Sequence, residues 1–224
     1  MKICFFLVNI LFSPLIIYSQ KVEIVKDSVC LDNECFELQE LKITKPLIYN
    51  KIQTTYNLFE TNEIFTDWKD RLNHKKKVFK DCKSFDDLRE IQYGFEKYQI
   101  YFNKNNLLNI SIELQVSGSP YETIKFLTFD LRKDKDLGIK LFKNKKKLFN
   151  KYLKNITDDE GLNLEAEYNY LSQYEIITTQ KGDQLSFMFL YVKPDNWKEN
   201  YHVVLTTNEI KPFLKSKYLK YFKE

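Results

Sequence analysis

Between residues 107 and 116 the chain alternates without a break. Leu108, Ile110, Ile112, Leu114 and Val116 fall on one side, and Asn109, Ser111, Glu113 and Gln115 on the other. Only an extended chain repeats with period two, so this segment is a strand with one apolar and one polar face. Such a pattern belongs to an antiparallel sheet with one wet face. Its neighbours supply the partners. Residues 95–102 form an aromatic-rich strand joined to it by the polar turn Asn103-Lys104-Asn105-Asn106, and Ser117-Gly118-Ser119-Pro120 turns the chain back into a third strand over 121–131.

The rest of the chain supports that sheet. Residues 21–25 and 35–43 alternate as strands around an Asp32-Asn33 turn. From about 49 to 88 the period becomes helical: Ile52, Tyr56 and Phe59, then Ile64, Phe65, Trp68 and Leu72, then Val78, Phe79 and Cys82. Ser84 is a cap for a fresh start, with Asp86 and Asp87 in its first turn. Residues 143–156 predict an amphipathic helix with Leu148, Phe149, Tyr152, Leu153 and Ile156 on its inner stripe. An acidic loop follows at 158–163, then a hairpin of 174–179 and 185–192 around Lys181-Gly182-Asp183, a strand at 201–205, and a closing basic helix or turn over 209–222. Helices lying between β segments, without strict alternation, predict an α+β fold: an antiparallel sheet with helices packed on one face. A hairpin plus helical region (20–92) and an α+β region (93–224) are expected to form one continuous globular unit.

Residues 1–19 carry the parts of a cleavable export signal. Lys2 is the positive start, residues 3–17 are apolar but for Asn9, Ser13 and Pro14, and small Ser19 precedes the cut, leaving Gln20 first. A membrane span needs roughly 20 apolar residues, and this run is shorter and contains a proline. Cys4 lies before the apolar stretch, and no cysteine follows it closely, so a lipid anchor is not expected. The product is exported, periplasmic or extracellular, with no stable membrane anchor after cleavage. Cleavage lowers the net charge from +4 to +3, a balance that argues against nucleic acid as partner. The densest basic runs, His74-Lys75-Lys76-Lys77 and Lys143 with Lys145, Lys146 and Lys147, read as solvated helix faces.

Outside the cytoplasm, Cys30 and Cys35 are placed to oxidise across the Asp32-Asn33 turn, which brings their sulfurs within bonding range. Cys82 is then the odd thiol, expected to act as a small buried residue. His74 is eight residues upstream of it, too far along a helix for direct contact.

From Tyr98 onward the chain resembles a family of domains of unknown function. That family forms the extracellular part of the anti-sigma factor RsiV and stands beside the catalytic domain of the peptidoglycan deacetylase PdaC. The matching pieces are the strands at 98–102 and 107–116, the turn ending in Pro120, Thr128-Phe129-Asp130-Leu131, Ile139-Lys140-Leu141-Phe142, the hairpin at 174–192, and Glu209-Ile210-Lys211-Pro212-Phe213-Leu214. The family commonly has a Gly-Ala-His-Pro turn where this chain reads Ser117-Gly118-Ser119-Pro120, so no role of that histidine carries over. The resemblance implies a non-catalytic domain facing the cell envelope, in some members binding lysozyme.

Catalytic patterns are missing from the sequence. His74 and His202 are far apart and sit in no His-x-x-x-His or Cys-x-x-Cys frame, so neither a metal nor a cofactor is implied. His202, beside Val203 and Val204, reads as structural. Asp86-Asp87 and Asp158-Asp159-Glu160 read as surface acids, although paired carboxylates do serve glycosidases. Asn109-Ile110-Ser111 and Asn155-Ile156-Thr157 match glycosylation sequons, a pattern expected by chance in an Asn-rich chain. Tyr191, Trp197 and Tyr201 bracket the loop at 193–196, and Tyr191, Trp197 and Tyr121 are the candidate binding aromatics. The favoured expectation is a non-enzymatic domain binding a protein or a peptidoglycan fragment. A hydrolase using carboxylates gathered from distant loops, and a subunit of a surface assembly, are the alternatives.

Overall fold

The computed structural model describes residues 22–56, 58, 63–120, 122–152, 170–192 and 198–222, with side chains at 189–192 and 198–201 also outside the description. The export signal expected over residues 1–19 therefore lies outside the described residues, as do Asn155 and residues 158–163.

Two strands, β1 (Glu23–Leu31) and β2 (Glu34–Lys42), form the first hairpin. Asp32 and Asn33 hold positive φ of 49° and 66°, the two left-handed positions that a two-residue hairpin turn requires. Three helices follow. Helix α1 (Pro46–Gln53) opens on Pro46, whose missing N–H costs nothing at a first helical position. Helix α2 (Trp68–Asp81) is capped by Asp67, which accepts from the N–H groups of Lys69 at 2.6 Å and Asp70 at 3.2 Å. Helix α3 (Phe85–Glu90) starts with the expected Ser84 cap, closed as a capping box with Asp87.

The helical expectation for Ile64 and Phe65 is not met. Gln53 clasps the Phe65 backbone at two points, donating to its carbonyl at 2.9 Å and accepting from its N–H at 2.8 Å. That clasp holds the chain outside the helix until Asp67 caps it, and Ile64 is left exposed.

The central antiparallel sheet runs in the order β3 (Gly94–Lys104), β4 (Leu107–Val116), β5 (Glu122–Asp130) and the short β6 (Lys135–Asp136). The turn between β3 and β4 is tighter than the sequence implies, with only Asn105 and Asn106 outside the strands. One face carries Leu108, Ile110, Ile112, Tyr98, Leu127 and Phe129, packed on Ile48, Tyr49 and Ile52 of α1 and on Leu41 of β2. This is the α+β arrangement the sequence predicts.

The other face is not wet along its length. A second sheet, β7 (Tyr174–Thr179), β8 (Gly182–Val192) and β9 (Lys198–Thr206), covers the half nearer the β3–β4 turn. Asn109 is 0% exposed and Ser111 3%. Asn109 is the joint: its Nδ2 donates to Thr128 Oγ1 at 2.9 Å and to the Tyr174 carbonyl at 3.0 Å, and its Oδ1 accepts from the Ile176 N–H at 2.8 Å. A polar residue here is satisfied by the edge of another sheet instead of by water, which the alternation alone cannot reveal. A bulge between Ile100 and Phe102 places Phe102 opposite Asn109, so Phe102 joins the second core with Leu107, Tyr174, Phe187 and Phe222.

Between the sheets come a 3-10 turn at Gly138–Leu141 and helix α4 (Lys145–Tyr152). The closing segment is not one helix. It breaks into α5 (Thr207–Ile210), a 3-10 turn at Lys211–Phe213 and α6 (Ser216–Leu219). The break comes at Leu214, which turns extended with ψ of 142°, and the stretch is pinned where Lys143 N–H donates to the Phe213 carbonyl and Lys215 N–H to that of Leu141. Among the described residues no helix is long and apolar enough to cross a membrane.

Candidate functional site

Two carboxylates from distant segments converge inside the molecule. Glu40 of β2 and Glu96 of β3 meet Arg71 and Lys75, one turn apart on α2. Arg71 Nη1 lies 2.7 Å from an oxygen of each acid, and its Nη2 donates to Glu96 Oε1 at 3.1 Å. Lys75 Nζ lies 2.8 Å from Glu40 and 2.9 Å from Glu96, and donates to the Gln39 carbonyl at 2.7 Å. The Tyr98 hydroxyl donates to Glu96 Oε2 at 2.6 Å. None of the four charged side chains is more than 3% exposed.

The electrostatics show what this cluster does. Burial pushes the Glu96 carboxyl up, but Lys75 and Arg71 outweigh it and bring the pKa down to about 2. Burial likewise works against the Arg71 charge, and Glu96, Tyr98 and Glu40 hold it well above its ordinary value. A general acid needs a pKa raised toward neutrality and access to substrate. Glu96 has neither, so this pair is a clamp joining the first hairpin, α2 and β3. Lys75 corrects the expectation of a solvated face for the run 74–77: its neighbour Lys76 reaches Asp27 at the surface, while Lys75 itself is buried.

Other chemistry-bearing residues are held in structural roles. Cys82 ends α2 half-buried, with its thiol on the Val78 carbonyl at 3.5 Å. Burial, with Asp87 and Asp81 nearby, pushes that thiol up, away from the thiolate a nucleophile needs. His74 lies against Phe65, ring centroids 5.1 Å apart, and 3.6 Å from Glu63. His202 is exposed on β9 and shares a hydrogen bond with Ser186 Oγ at 3.1 Å. Among the described residues no group of three His, Cys, Asp or Glu is placed to hold a metal. Asn109 is sealed between sheets, which removes it as a glycan acceptor.

The open site lies at the far end of the first hairpin. Cys30 and Cys35 stand opposite each other in register and are joined as a disulfide. Beside them Phe36 packs against Phe85 of α3 and Phe95 of β3, with centroids 5.9 Å and 5.6 Å apart and planes within 14° and 25°. All three rings are half-buried. Behind them Phe79 and Tyr93 continue the aromatic cluster into the core. The rings floor a cleft of about 340 Å³, rimmed by Glu37, Lys97, Gln115 and the turn Ser117-Gly118-Ser119.

Two glycines shape it. Gly118 has φ of +81°, and the Arg89 side chain packs 3.2 Å from where a Cβ would sit. At Gly94, next to Phe95, a Cβ would meet the end methyls of Leu58 and Leu114 within 2.7 Å, so glycine lets those two leucines close over the start of β3. Arg89 also lies over the Phe85 ring at 4.9 Å. The Ser117 hydroxyl is buried with no hydrogen-bond partner among the described residues. An apolar floor of near-parallel rings with a rim of amide, hydroxyl and charged groups can stack a flat or ring-shaped group and hydrogen-bond its edges.

The candidate aromatics read from sequence are not these. Trp197 and Tyr121 lie outside the described residues, as does the side chain of Tyr191 on β8. Phe36, Phe85 and Phe95 were missed because each borders a local signal, namely the cysteine turn, the Ser84 cap and the Gly94 break. Nothing in their spacing shows that three separate elements bring them together.

Fold and cleft together define an α+β domain of antiparallel sheets, with α1 packed on one face of the central sheet and α4, α5 and α6 packed into the core on the other. No family model matches the sequence, and no curated protein matches it. Among solved structures, a DUF3298 family protein from Pseudomonas aeruginosa superposes with a TM-score of 0.50 at 12% identity, covering 88% of this chain and 95% of that one. A DUF3298 family member from Bacteroides fragilis gives a TM-score of 0.48 at 11% identity, covering 90% of this chain and 96% of that one. At such identity the likeness is one of fold, and the Pseudomonas structure is consistent with a DUF3298 domain, a domain of unknown function.

Proposed function

We propose that the protein is an exported, non-catalytic binding domain of the cell envelope that holds a protein segment or a cell-wall glycan in the Phe36–Phe85–Phe95 cleft. The cleft carries the reading: three half-buried rings stand open beside a polar rim, in a molecule whose converging acids are closed off. Export rests on the character of residues 1–19, and a disulfide without a spanning helix among the described residues fits it. The resemblance to the extracellular part of RsiV and to the domain beside the PdaC catalytic unit points to the same compartment. The turn where that family commonly has Gly-Ala-His-Pro is Ser117-Gly118-Ser119-Pro120 here, and the first three residues form the rim of the cleft. Residues 20–92 and 93–224 act as one unit in this reading, since the cleft takes residues from both.

The test is retention of the mature protein on purified cell-wall sacculi and on immobilised lysozyme. Binding to one of them, weakened at least tenfold by Phe85→Ala with the melting temperature of that variant checked in parallel, is the expected result. Retention on neither would overturn the reading.

A further inference from the structure

The second large concavity lies on the opposite edge of the central sheet and has a different chemistry. It encloses about 290 Å³ between the end of α1 (Lys51, Thr54, Thr55), β5 (Lys125 to Leu127), the turn after β6 and Gln173. Three lysines line it, Lys51, Lys125 and Lys140, each from a different element, against one acidic residue, Asp136. Among the described residues none of the three lysines has a carboxylate partner. Lys125 is positioned: its Nζ donates to the Thr55 carbonyl at 3.0 Å and lies 4.5 Å over the Tyr56 ring.

Alongside this cleft, β5 beyond its short pairing with β6 has no strand beside its outer edge among the described residues. β6 pairs only with Phe129 and Asp130 of β5. Just beyond, the Thr128 carbonyl accepts from the Leu137 N–H at 2.7 Å, and the Phe126 N–H donates to the Gln173 side chain at 3.0 Å. Backbone groups along a strand alternate sides, so the Ile124 N–H and the carbonyls of Ile124 and Phe126 face the same way. Among the described residues they have no partner. Open edges are commonly guarded by a lysine of the edge strand itself, which accounts for Lys125. It does not account for Lys51 and Lys140, which other elements bring to the same cleft.

The geometry points to a docking site for an extended acidic peptide, added as a strand along β5 with its carboxylates among Lys51, Lys125 and Lys140. Backbone pairing supplies affinity in this mode, and side-chain pockets supply selectivity. The three lysines select acidic residues, and the unpaired groups of Ile124 and Phe126 select an extended backbone. This site is independent of the aromatic cleft and stands or falls without it.

The test uses the mature protein and a fluorescein-labelled hexapeptide of alternating Glu and Val, read by fluorescence polarisation, with the Lys/Val counterpart as control. Binding of the acidic peptide alone is expected, at least tenfold weaker in Lys51→Glu and in Lys140→Glu. Both are surface changes whose folding is verified by circular dichroism. Amide hydrogen exchange then separates strand addition from plain charge attraction: the Ile124 N–H should become protected in the complex. No binding at millimolar peptide, equal binding of the Lys/Val peptide, displacement by equimolar inorganic phosphate, or an Ile124 amide that exchanges unchanged would each overturn the proposal.

Discussion

Arg71 directs its guanidinium at two carboxylates and a phenol at once, in a place where water does not reach. Removing one member of a buried ion cluster leaves the others charged and unpaired, and typically costs about 3–5 kcal/mol. Arg71→Ala is therefore expected to lower the urea unfolding midpoint severely, more than any surface lysine-to-alanine change. The acid limb of stability follows from Glu96. Its folded pKa of about 2 lies below the ordinary 4.5, so its ionised form stabilises the fold above pH 4.5. That contribution drains as the pH falls toward 2. Unfolding followed from pH 7 down to pH 2 should show the loss, and Glu96→Gln should flatten the acid limb while lowering stability at neutral pH. A rising stability below pH 4 would contradict the assignment. None of this was visible in the sequence, where Lys75 sits in a basic run indistinguishable from a solvated face. Only the third dimension tells which lysine of the run turns inward.

Elements were legible where the local code is strong. The period-two pattern of β4, the Asp32-Asn33 turn and the Ser84 cap each fix backbone geometry within a few residues, and all three stand where expected. The failures share a cause: each is a local pattern overridden by a partner far along the chain. Gln53 draws Phe65 out of the helix that periodicity predicts, and the β7 edge converts the wet face of β4 into an interface. Asn109 is the sharpest case. Asn109→Leu would strand the Ile176 N–H and the Tyr174 carbonyl, at about 1–3 kcal/mol for each unsatisfied group, so thermal unfolding should move down by several degrees. At the hairpin, the disulfide closes a short loop and contributes about 2 kcal/mol. Cys30→Ser, or reduction of the native protein, should lower the unfolding free energy by that order. Thiol titration of the unreduced mature protein should find Cys82 alone.

Across the whole molecule, the second sheet packs through β7 onto one face of the central sheet, across β3, β4 and β5. The fold class was legible because alternation and helix signals are each local. The stacking of the second sheet was not, since it depends on contacts between residues some 65 positions apart, such as Asn109 and Tyr174. The aromatic cleft belongs to this scale as well, being assembled from a hairpin, a helix and a strand that share no motif. The proposed export has its own check. Intact mass of the protein recovered outside the cytoplasm should correspond to a chain beginning at Gln20, and a product retaining Met1 would count against a cleaved signal.

The clamp of Glu40, Arg71, Lys75 and Glu96 also bears on how such a chain can change over time. A substitution at any one of the four passes through a protein with a stranded charge, so the quartet is difficult to leave by single steps. Surface positions carry no such constraint, and single substitutions there usually change stability little. Descendants of a common ancestor should then hold all four charges or none. An acid, then Arg and Lys four apart on a helix, then an acid on the next strand, spaced 31, 4 and 21 residues along this chain, makes a lineage marker. It should remain detectable where pairwise alignment has lost the signal.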